Sequence, residues 1–91
     1  MNRTHNRLFR LNDQIEAIDR EARQVGAELD YHRMINDDAQ RDAAVGNYID
    51  REEAGLTAGD VRRFERTLAR LADKRRRLAA KRDRLLTRLP D

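Results

Sequence analysis

At 91 residues, with 38% hydrophobic and 41% charged side chains, the chain is one small domain with little apolar surface to bury per residue. Cys, Ser and Trp are absent, which excludes a disulfide framework, a thiolate metal site and the usual serine or cysteine nucleophiles. The net charge of +3 hides an asymmetry: residues 12–54 hold five Arg against twelve acids, whereas residues 58–89 hold twelve Arg or Lys against four acids.

Short scaffolds without disulfides or metals depend on regular helix packing or on oligomerisation. A composition rich in Leu, Ala, Arg, Glu and Asp with helical periodicity points to a coiled coil. No window approaches the roughly 18 apolar residues of a membrane span, and the segment from Met1 to Leu11, with Arg3, Arg7 and Arg10, has no apolar run that would serve as a leader. A cytosolic protein is the expectation. The bias of eighteen Arg against two Lys points to a G+C-rich bacterial genome.

In chain order, the first element is a heptad. Leu8, Ile15, Ala22 and Leu29 recur every seven residues, and Leu11, Ile18 and Val25 fall between them, which makes the a/d seam of a coiled coil. Continued past Leu29, the seam meets His32 and Asn36, while Tyr31, Met34 and Ile35 move the apolar stripe sideways as a stutter does. The spacing predicts one helix over residues 5–54, bent near 36–38 or 46–47. Gly46-Asn47 is its weakest point, because glycine costs about 1 kcal/mol relative to alanine inside a helix.

The turn is expected at residues 55–57. Gly55 suits a left-handed helix end, Thr57 to Asp60 suits a capping box, and Leu56 with Val61 suits a hydrophobic staple. A second helix over residues 58–89 follows, ended by Pro90. Its seam is Val61, Phe64, Leu68, Leu71, Leu78, Leu85 and Leu89, with Arg75 and Arg82 standing where apolar residues belong.

A short turn makes the two helices antiparallel neighbours. With the pivot at Leu56, Phe64 would face Tyr48, Arg75 would face Asp37, and Arg82 would face Asp30. The two misfit arginines would then set the register against acids, since polar seam residues fix register at a cost in stability. Residues 1–22 would project beyond the hairpin, with Leu8, Leu11, Ile15 and Ile18 as an exposed docking stripe.

The fold expected is therefore all-α and a single domain over residues 1–91: a long antiparallel helical hairpin with an N-terminal helical extension, completed into a bundle by oligomerisation, a dimer being favoured. A break near Asn36 would give a three-helix bundle instead.

Candidate chemistry is sparse. The run from Lys74 to Arg77 with Lys81, Arg82 and Arg84 is a nucleic-acid candidate, and Arg76, Arg77, Lys81 and Arg84 would meet phosphates. The same cations interleave with the Leu71, Leu78, Leu85 seam and have no aromatic among them, which favours a solvated face partly neutralised by the acidic helix. Glu28 and His32 share a helix face but make one pair only, where a di-iron bundle needs Glu-x-x-His on two helices. Carboxylates on an open ribbon stay solvated and have no pocket to shift them. No cofactor, no metal, no small-molecule substrate and no enzyme activity are expected.

Asp50, Glu52, Glu53 and Asp60 cluster near the expected turn. An acidic tip on a long antiparallel coiled coil resembles the finger of Gre- and DksA-type transcription factors, which enters the secondary channel of RNA polymerase. The chain has neither the second globular domain of the former nor the cysteine zinc site of the latter. The function expected is a non-enzymatic coiled-coil interaction or structural module that associates with itself or with another helical protein. The alternative is a nucleic-acid or RNA-polymerase-binding factor that uses the Arg-rich helix or the acidic tip.

Overall fold

The structure, a computed structural model, describes residues 3–89, and Pro90 lies outside them. Two helices account for nearly all of it: α1 spans Arg3–Val45 and α2 spans Tyr48–Thr87. They lie side by side as a ribbon of 68 × 16 × 15 Å. No helix among the described residues is long and apolar enough to cross a membrane.

The turn sits nine residues before the expected one, at Gly46-Asn47. Asn47 has extended backbone (φ −97°, ψ −170°) and caps α2. Its side-chain oxygen accepts from the Ile49 N–H at 3.0 Å and the Asp50 N–H at 3.2 Å, while the Asp50 carboxylate accepts from the Asn47 N–H at 3.3 Å. This reciprocal box satisfies donors that the first helical turn leaves unpaired. Gly46 is required by space: a Cβ there would strike the Asp50 carboxylate and the Asp42 carbonyl oxygen.

Gly55, Thr57, Gly59 and Asp60 are all interior to α2. Gly55 has open space where a side chain would stand. Leu56, assigned to a staple, is 63% exposed. Thr57 is a seam residue: buried, with its hydroxyl oxygen 3.0 Å from Asn36 Oδ1 and 3.1 Å from the Ala54 carbonyl oxygen.

Chain-wide burial decides between the two candidate turns. With the pivot at 46–47 the heptad of α1 meets that of α2 along the full ribbon. The register that brings Asn36 to Thr57 sets Leu8 level with Leu85, Ile15 with Leu78, Val25 with Leu68 and Leu29 with Phe64. Leu8, Ile15, Ile18, Leu29 and Leu85 are buried accordingly. A pivot at 55–57 would leave about 30 Å of apolar helix in water. Hence α1 is neither bent at 36–38 nor extended as a projecting arm, and the stutter inferred from Tyr31 and Met34 is a continuous seam through His32, Asn36 and Ala39. His32 fills its layer by stacking on Phe64, ring centroids 4.6 Å apart.

Candidate interaction faces

The seam divides the ribbon into two flanks. On the first, made of heptad e and b positions, Arg33 reaches Glu65 at 3.8 Å, and Gln40 Nε2 donates to the Ala54 carbonyl at 3.0 Å. On the second, made of g and c positions, open grooves form between the helices. Ile35 and Asp42 line one with Glu53; Gln14 and Glu21 line another with Lys74; Arg7 and Arg10 line a third with Lys81.

Register is set by side chains other than those expected. Arg75 crosses to Asp19, its Nε donating at 2.7 Å and its Nη2 at 3.3 Å, rather than to Asp37. Among the described residues Arg82 pairs only with its neighbour Asp83, at 3.4 Å, and Asp30 pairs within α1 with Arg33, at 3.8 Å. Asp37 makes no ion pair among the described residues. These corrections follow from the turn: a nine-residue shift of the pivot moves the partner of each α2 residue by about 18 positions along α1. Sequence reasoning missed the polar layer that pins the closed half, where Gln40 Nε2 also donates to Asn36 Oδ1 at 3.0 Å, beside Thr57. The signal available for it was the heptad itself, which places Asn36 and Thr57 in one layer once the turn is at 46–47.

The proposed docking stripe is inside the molecule. Leu8, Ile15 and Ile18 are buried against α2 and Leu11 is half-buried. The large apolar side chains left in water are others. Tyr31, Met34, Val45, Tyr48, Ile49 and Leu56 lie in the half of the ribbon that ends at the Gly46 turn, whereas Phe9 and Leu86 lie toward the opposite, open end.

The cations split into two groups. Arg76 and Arg77 both donate to Asp73 on their own helix. These bonds hold the Asp73 carboxyl below the usual carboxylate range, and the Arg75 hydrogen bond does the same for Asp19 against a smaller opposing effect of burial. Lys81 and Arg84, by contrast, make no ion pair among the described residues. They lie in one groove with Arg7 and Arg88, and Arg7 and Arg10 join Lys81 in the next. The expected neutralisation by the acidic helix therefore fails at the open end, because α1 presents its own arginines there. Residues 3–27 and 67–89 together hold fourteen Arg or Lys against six acids (+8), and residues 28–66 hold six against ten (−4).

No group of three or more His, Cys, Asp or Glu is placed to hold a metal ion among the described residues. No protein-family model matches the chain, and no curated protein or solved structure matches it either.

Proposed function

We propose that the chain is a non-enzymatic coiled-coil interaction module that self-associates through the outer faces of its helices. One observation carries this reading: six large apolar side chains stand exposed in the half toward the turn, and four of them, Tyr31, Val45, Ile49 and Leu56, share the g/c flank. Apolar surface gathered in this way marks interaction sites, whereas scattered single residues need no explanation. The grooves between the helices are open and flanked by solvated charge, unlike the enclosed apolar pockets that hold small substrates.

The test is sedimentation equilibrium over a range of concentrations. The native chain is expected to associate at micromolar concentration, and Ile49→Asp with Leu56→Asp to make it monomeric with unchanged helicity. A native chain that stays monomeric throughout overturns the proposal.

A second reading is favoured by the α2 cations. Arg70, Lys74, Arg77, Lys81, Arg84 and Arg88 recur every three or four residues, on the flank that the grooves define. Their rise of about 5 Å per step suits a phosphate backbone. Binding to a labelled DNA duplex should then fall steeply with added salt and disappear in Lys81→Glu with Arg84→Glu; a flat salt response would retire this reading.

A further inference from the structure

Charge along the g/c flank changes sign from one end of the ribbon to the other. Around the turn it carries Asp42, Glu53 and Asp60 beside the apolar Ile35, Ile49 and Leu56. At the open end it carries Arg7 and Arg10 from α1 and Lys81, Arg84 and Arg88 from α2. The contacts within the hairpin leave this pattern unsatisfied. Asp42 and Glu53 make no ion pair among the described residues, nor do those five cations; Asp60 pairs only with Arg63 one turn away.

The helix dipole accounts for the sign only in α2, which has Asp50 in its first turn and Arg84 in its last. A helix favours acids at its start and bases at its end. In α1 the order is inverted, with no acid in the first turn and no base in the last. Local rules broken without compensation inside a fold are expected where a surface meets something else.

We propose that two copies pack antiparallel through these flanks, the acidic and apolar closed end of each lying on the cationic open end of the other. This rests on the self-association reading and specifies its geometry. A two-fold axis across the middle of the ribbon makes both contacts at once, as isologous dimers require. A parallel arrangement, or two closed ends stacked together, would oppose like charges. The aliphatic stems of Lys81, Arg84 and Arg88 supply apolar cover for Ile49 and Leu56 while their charged ends reach the acids. Tyr31 adds an aromatic face for a guanidinium. A flank of 68 × 16 Å offers about 1,000 Å² per copy, comparable to the ~800 Å² per partner of a stable interface.

A charge-swap experiment tests this arrangement. One variant carries Lys81→Glu with Arg84→Glu, and the other Asp42→Lys with Glu53→Lys; all four positions are exposed, and circular dichroism checks that both remain helical. Each alone should dimerise at least ~100-fold more weakly than the native chain, because like charges then face one another. Mixed at equal concentration they should form a one-to-one heterodimer, since both end contacts are again of opposite sign. Recovery of mass on mixing supports the proposal. If either variant dimerises as the native chain does, or the mixture stays monomeric, the antiparallel geometry is wrong while self-association through another face stands. A native chain that is monomeric at all concentrations yet binds duplex DNA through Lys81 and Arg84 overturns both readings and assigns the cations to phosphates.

Discussion

The two halves of the ribbon use their apolar residues in opposite ways. In the open half the seam layers hold Leu8 with Leu85 and Ile15 with Leu78, and the second flank is cationic. In the closed half the layers shrink to Asn36 with Thr57 and Ala39 with Ala54, and Tyr31, Ile49 and Leu56 are outside. Stability is thus concentrated toward the end where the chain begins and ends, and unfilled apolar surface toward the turn. A two-helix ribbon covers each seam residue only partly, and among the described residues no large side chain is fully buried. The closed half therefore gains most from a partner.

The contrast is tested first by deletion of apolar atoms. Ile15→Ala, at a position 4% exposed, should cost about 2–5 kcal/mol in urea denaturation. Leu56→Ala should change the stability of the dilute hairpin by no more than about 0.5 kcal/mol. Equal costs would mean that the closed half is packed as the open half is.

Next in size is the cap. Asn47→Ala removes the acceptor for the Ile49 and Asp50 amides and should cost about 0.5–2 kcal/mol. Gly46→Ala should also destabilise, since the Asp50 carboxylate and Asp42 carbonyl must move. Gly55→Ala should do the opposite. In a helix interior with open space for a methyl group it should stabilise by about 1 kcal/mol, raising the melting temperature by roughly 4–8 °C. A lower melting temperature would return the turn to Gly55.

The helices themselves were legible in the sequence, because the 3-4 spacing of Leu8 to Leu29 and of Phe64 to Leu85 states them directly. The turn was not, because two segments carry the same local signal. Gly46-Asn47 with Asp50 and Gly55-x-Thr57 with Asp60 each offer a glycine, a capping side chain and a carboxylate three residues on. Local chemistry does not choose between them; the number of seam layers that can close does. Treating Asn36 and His32 as a loss of register, when both are polar members of a continuous seam, concealed that count. The error then carried into the site, turning buried Leu8, Ile15 and Ile18 into a docking stripe and hiding Arg7 and Arg10 as partners of Lys81.

The smallest effect expected is on pH. Arg75 holds the Asp19 carboxyl below its ordinary value, so the folded state binds the proton less readily than the unfolded chain. Its stabilising contribution is complete above the ordinary carboxylate pKa of about 3.9 and is lost as pH falls through the lowered folded value. Asp19→Asn should flatten the acid limb of a stability–pH curve slightly, with no change near neutrality in its slope. An acid limb identical to that of the native chain would show that the Asp19–Arg75 pair is not formed in solution.

The seam register, the exposed apolar side chains and the charge of the flanks all depend on where the chain turns back, and a distance measurement addresses that directly. The sequence has no native cysteine, so Arg10→Cys with Arg84→Cys can be spin-labelled cleanly and diluted with excess unlabelled chain to suppress distances between copies. A turn at Gly46-Asn47 sets the two labels level across the ribbon, at the ~10 Å spacing of packed helices plus the label linkers. A turn at residues 55–57 would set position 84 near position 28, about 27 Å further along α1 from position 10. A short, single distance supports the full-length hairpin; a distribution centred beyond about 27 Å would contradict it.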